Sequence, residues 1–77
     1  SASLPVEEPP ALPLEPLSER EVEVLELIDE GLTNRAIADE LDVALGTVKA
    51  YATTIYRKLD VSNRKQAVTR AKELELI

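Results

Sequence analysis

Apolar side chains recur at helical spacing in four blocks, separated by short polar or glycine-containing breaks. Val22, Val24, Leu25, Leu27 and Ile28 form the first, with Glu23, Glu26, Asp29 and Glu30 on the remaining face. Its start is marked by Ser18 and Glu21, the two ends of a capping box, with Leu17 and Val22 placed to form a hydrophobic staple. Gly31 suits the left-handed position that ends a helix, and Leu32 can fold back on the last turn. Ile37, Ala38 and Leu41 form the second block, with Thr33 as cap and Asn34 and Arg35 in the first turn. Residues 42–46 read as a tight turn with Val43 and Leu45 turned inward. Val48, Tyr51, Ala52, Ile55 and Leu59 make one buried stripe of a third helix that opens at Thr47 and ends near Asp60. Val61 packs down, Ser62 caps a fourth helix, and Ala67, Val68, Ala71 and Leu74 form its apolar stripe. Four helices, no strands and short connections are expected.

The third block has a second face. Lys49, Thr53 and Arg57 lie four residues apart, so they form one outward row, with Ala50 beside it. A row of long cations and small side chains can approach the floor of a DNA major groove. A solvated helix face would show the same pattern, so the neighbouring elements must decide. A short helix, a turn and a longer helix over 33–59 form a helix-turn-helix reader.

Residues 1–16 hold all five prolines and no period. Proline fixes φ and biases the preceding residue toward extended backbone, so this stretch reads as a semi-stiff linker. A proline-rich ligand for a recognition domain is the alternative. The expected organisation is a linker over 1–16 and a four-helix domain over 17–77. The chain begins at Ser1 rather than Met and reads as a piece of a longer protein.

Composition narrows the chemistry. Seventy-seven residues allow one small core. Without Cys there is no disulfide or thiolate site, and without His the commonest general base and metal ligand is missing. Two glycines, 15 residues apart, make no phosphate-binding loop. No enzyme, cofactor or metal is expected, and no apolar run approaches a membrane span. The net charge of −6 argues against a nucleic-acid partner until it is divided along the chain. Residues 18–43 carry nine acidic and two basic side chains, residues 44–70 one acidic and six basic. Charges beyond about 8 Å are screened in physiological salt, so local sign counts for more than the total. The acidic half must then face away from the phosphates.

Several motifs in order carry a family resemblance. They are Leu17-Ser18-x-Arg20-Glu21-x-Glu23-Val24-Leu25, Gly31-Leu32-Thr33-Asn34-x-x-Ile37-Ala38-x-x-Leu41, Thr47-Val48-Lys49, and Lys58-Leu59-x-Val61-x-x-Arg64-x-x-Ala67-Val68. Together they resemble the LuxR-type C-terminal helix-turn-helix domain of bacterial transcription regulators. The resemblance implies an all-α, four-helix DNA-binding domain acting in the cytoplasm, with the third helix in the major groove and the fourth pairing two domains on a two-fold site. It implies double-stranded DNA as partner, a homodimer on it, and an upstream sensor or ATP-binding domain. The segments 56–59 and 74–77 look like the large ATP-binding branch.

Carried over by position, the resemblance makes Lys49, Ala50 and Thr53 base-facing. It makes Asn34, Arg35, Thr47, Tyr51, Lys58 and Arg64 phosphate-contacting, and Ala67, Val68, Ala71 and Leu74 the dimer seam. The residues themselves leave open whether that last stripe is seam or monomer core. Three positions depart from the family pattern. Ala44 replaces a capping Ser or Thr, so the third helix frays or uses Asp42; Ala36 replaces a common Glu; Tyr51 replaces a common His. A sigma-factor-like promoter reader shares part of the pattern but lacks the segment from Lys58 to Val68. An acidic helical protein-interaction module, working through residues 18–43, is the reading from a different class.

Overall fold

A computed structural model describes residues 16–77. The linker expected over 1–16 lies, apart from Pro16, outside the described residues. Four helices follow: α1 Glu19–Asp29, α2 Asn34–Leu41, α3 Leu45–Leu59 and α4 Arg64–Glu73. There is no strand among the described residues.

The helix starts follow from their caps. At α1 the capping box is complete: the Glu21 amide donates to Ser18 Oγ at 3.1 Å, and the Ser18 amide to Glu21 Oε1 at 2.9 Å. At α2 the Ala36 amide donates to Thr33 Oγ1 at 3.1 Å. At α4 the cap is Asn63 rather than Ser62. Gln66 stands three residues after Asn63, so its amide donates to Asn63 Oδ1 and its side chain accepts from the Ser62 amide, both at 2.9 Å. Helix α3 starts at Leu45, two residues before the expected Thr47, with Gly46 inside the first turn. Its cap position is Ala44, which offers no side-chain bond. Asp42 does not substitute, because it sits in the left-handed conformation that closes α2.

All four helices end in the same way. A residue at positive φ is followed by an apolar residue whose amide reaches back five residues. The pairs are Gly31-Leu32, Asp42-Val43, Asp60-Val61 and Glu75-Leu76, and the returning bonds run to Leu27, Ala38, Tyr56 and Ala71. Leu32, Val43, Val61 and Leu76 each pack against the core. These are Schellman closures, in which the apolar contact fixes the turn. Left-handed backbone is disfavoured for side chains other than glycine, with Asp and Asn the least penalised. Asp42 and Asp60 therefore suit their places better than Glu75.

The core gathers around α3, which packs against each of the other three helices. Val24, Leu25 and Ile28 of α1, Ile37 and Ala38 of α2, Val48, Ile55 and Leu59 of α3, and Ala67 and Ala71 of α4 form one buried cluster. Fully burying a Val, Ile or Leu contributes about 1.5–3 kcal/mol. The three large α3 residues therefore outweigh the missing cap, worth about 1 kcal/mol, and Gly46, worth about 1 kcal/mol. Ala67 and Ala71 have 0% exposure, which corrects their expected place in a dimer seam: a side chain with no accessible surface cannot touch a second copy. Val68 and Leu74 are half-buried and pack against the same core.

Lys58 joins α3 to the start of the domain by two polar bonds. Lys58 Nζ lies 2.8 Å from Glu21 Oε1 and 3.0 Å from the Pro16 carbonyl, with the Lys58 and Glu21 side chains only 13% and 9% exposed. Burial pushes the Glu21 carboxyl up. The hydrogen bond and charge of Lys58 and the bonds from Ser18 outweigh it, so the carboxyl is held below its ordinary value. Ionised Glu21 is thus favoured by folding. Its contribution is full above the unfolded value, about 4.3, and is lost as pH falls through the lower folded value. Glu21→Gln should cost about 1.5–3 kcal/mol at neutral pH, leaving Lys58 without its anion. It should also flatten the acid limb of stability below about pH 4. Urea unfolding at a series of pH values checks both.

Candidate nucleic-acid interface

Burial of Val48, Ala52, Ile55 and Leu59 turns the other side of α3 outward. Thr47, Lys49, Ala50, Thr53 and Arg57 are all exposed, so the expected base-facing set lies together on one open face. Thr53 Oγ1 donates to the Lys49 carbonyl at 3.0 Å, which uses the hydroxyl proton within the helix. An approaching base would then meet the Thr53 methyl or an oxygen lone pair. Tyr51 is half-buried with its side chain packed against the core, so only its outer part can reach a partner.

Leu45 departs from its expected place. It was expected to turn inward, but it is half-exposed and is not among the side chains packed on the core. It adds an apolar group to the opening turn of the exposed face. The misleading signal was its place in a supposed loop, where an apolar residue is normally an anchor. As the first residue of α3 it stands one position past the turn.

The residues expected to contact phosphates divide. Asn34 and Arg35 open α2, Arg35 exposed and Asn34 half-buried. Lys58 stands apart from the exposed face, because its ammonium is engaged by Glu21 and Pro16 inside the fold. Arg64, in the first turn of α4, reaches across to the turn before α2. Its guanidinium donates to the Leu32 carbonyl and, at 3.3 Å, to Asn34 Oδ1.

The acidic half has its own surface. Glu23 and Glu26 of α1, its C-cap Glu30, and Glu40 of α2 rim a shallow groove of about 200 Å³ over Leu27 and Leu41, with no α3 residue in its lining. A wider groove of about 470 Å³ runs along α4, lined by Val61, Lys65, Gln66, Thr69 and Arg70 with Asp60 and Glu73. Among the described residues no acidic cluster could hold a metal ion, and no helix is long and apolar enough to cross a membrane.

A short helix, a tight turn and a longer helix held by its inner stripe define a helix-turn-helix DNA-binding domain. The chain belongs to the luxR family of bacterial regulatory proteins, whose family model matches residues 15–71. It is 50% identical over 58 residues to the transcriptional regulatory protein DesR of Bacillus subtilis, covering 75% of this chain and 29% of DesR. It is 49% identical over 67 residues to LiaR of the same organism, covering 87% and 32%. It is 49% identical over 59 residues to the transcriptional regulator MalT of Vibrio cholerae, covering 77% and 6%. Among solved structures it is similar to the response regulator ChrA of a heme-sensing two-component system. The TM-score is 0.81 and the identity 43%, over 84% of this chain and 32% of ChrA. The chain thus spans about a third or less of these relatives.

The uncapped opening of α3 gives a direct test of the local reading. Ala44→Ser supplies the missing acceptor for the first-turn amides and should stabilise the domain by about 1 kcal/mol. Thermal melting followed by circular dichroism would register the gain as a higher midpoint.

Proposed function

We propose that this domain binds duplex DNA sequence-specifically as part of a bacterial transcription regulator in the cytoplasm, with α3 entering the major groove. The observation that carries the reading is the outer face of α3, where Lys49, Ala50 and Thr53 stand exposed on a helix locked by its inner stripe. Lys49 can donate to guanine O6 or N7, and Ala50 or the Thr53 methyl can meet a thymine methyl. Arg35, Asn34 and Thr47 set register through phosphates and carry no sequence information. Bare Ala44 and Gly46 let the opening turn come close to the duplex.

One lysine and two small side chains make a thin readout, since a good base contact is worth roughly 1–3 kcal/mol. Two half-sites about one helical turn apart would supply the rest, so the working form is a homodimer on DNA. With Ala67 and Ala71 inside, the seam would use the remaining surface of Val68 and Leu74 and the groove beside Lys65 and Thr69. An upstream sensor or ATP-binding domain would govern the assembly through the segment before Leu17. Selection of bound sequences from a random duplex pool tests the whole reading. A symmetric, spaced consensus supports it, and a pool without consensus overturns it.

Lys49→Ala should weaken binding to a selected duplex more than to random duplex. On a selected duplex, Arg35→Gln should reduce the slope of log K against log salt by about 0.9, the loss of one phosphate. Lys58→Gln should leave that slope unchanged while lowering the melting temperature. Val68→Asp should reduce affinity for a paired site with little change on a single half-site. Equal loss on both, with loss of helix signal, would place Val68 wholly in the core.

A further inference from the structure

We infer that Arg64 is a positioning residue: it holds the Asn34 carboxamide with its donors outward, and does not itself bind a phosphate. The inference rests on the DNA-binding reading and assigns a different task to a cation that the sequence places at the backbone. Arg64 is half-buried at the start of α4 and reaches the turn between α1 and α2. It meets two acceptors there, the Leu32 carbonyl and Asn34 Oδ1. Leu32 is the residue whose amide closes α1 by reaching back to Leu27, so the arginine ties its carbonyl to α4.

The chemistry of the two side chains then fixes an orientation. A guanidinium has five donors and no acceptor, whereas a carboxamide has an oxygen at one end and an NH2 at the other. Only the oxygen end of Asn34 can face Arg64, so the NH2 end points away from it. Asn34 is the first residue of α2, and the Thr33 side chain has already taken the Ala36 amide. The outward NH2 therefore adds two donors beside the unused amides of the opening turn, and no acceptor is presented to an incoming phosphate. Without Arg64 the carboxamide is free to flip and to present its oxygen to the anion. Lysine cannot replace the fork, because a single ammonium lacks the planar geometry that spans two acceptors.

The test is a double-mutant cycle on the 77-residue chain, with a duplex taken from the selected pool, at a temperature where circular dichroism shows every variant folded. Asn34→Ala should weaken binding roughly five- to tenfold, the size of one hydrogen bond. Arg64→Lys should cost a similar factor in the wild-type background and nothing further when Asn34 is already alanine. Its melting temperature should fall in the wild-type background, where one ammonium replaces a fork that spans two acceptors. Arg64→Gln, a second variant that keeps one amide donor without charge, should leave the salt slope unchanged. The inference is overturned if Arg64→Lys costs the same factor in both backgrounds or none in the wild type. It is equally overturned if Arg64→Gln reduces the slope by about 0.9, the mark of a direct phosphate ligand. A wild-type chain that shows no salt-dependent duplex binding would sink the DNA-binding reading itself, which is a distinguishable result.

Discussion

Everything in this domain depends on the burial of one stripe of α3. Val48, Ala52, Ile55 and Leu59 are enclosed by the other three helices. A helix is rigid about its axis, so once that stripe is fixed the direction of every other α3 side chain is fixed too. Lys49, Ala50 and Thr53 are exposed because their neighbours at one and two residues' distance are buried. The outer face needs no contacts of its own to hold it in place. This is why α3 tolerates the weak opening of Ala44 and Gly46, two losses of about 1 kcal/mol each against the apolar burial of three large side chains.

The polar bonds serve the same end. Lys58 leaves α3 on the inner side and ties it to the capping box of α1 and to Pro16, the point from which the preceding chain departs. Arg64 ties the start of α4 to the turn before α2. Both are cations in the basic half of the sequence, and both are engaged within the fold. The open positive charge is therefore smaller than the sequence suggests, with Lys49 and Arg35 exposed on α3 and α2. Glu23, Glu26, Glu30 and Glu40 rim a separate groove that includes no part of α3. A net charge of −6 is thus compatible with a DNA-facing helix, because part of the acidic charge lies on a groove away from α3.

Much of the fold was legible in the sequence because its signals are local. Ser18 and Glu21, Thr33, Gly31 with Leu32, and the stripe of α3 each announce an element within a few residues. Three signals misled. The left-handed positions at Asp42, Asp60 and Glu75 carry no glycine, so three of the four helix ends lack that signal. Gly46 looked like a turn residue, although nothing in its φ or surroundings requires glycine, and it lies inside α3. Ser62 was expected to cap α4, but the register of Gln66 puts the cap at Asn63, one residue later. The candidate site was legible where it depends on helix periodicity, as for Lys49, Ala50 and Thr53. It was not legible where it depends on contacts between distant segments. Nothing near Lys58 or Arg64 in sequence reveals that their partners lie about 30 or more residues away.

The most direct test of the two-faced α3 is an NMR titration of the isotope-labelled chain with a selected duplex, following backbone amides residue by residue. The account requires the largest shifts at residues 45–57 and at the start of α2, with Glu23, Glu26 and Glu30 unmoved. Shifts centred on the acidic groove, with Lys49, Ala50 and Thr53 unchanged, would contradict it.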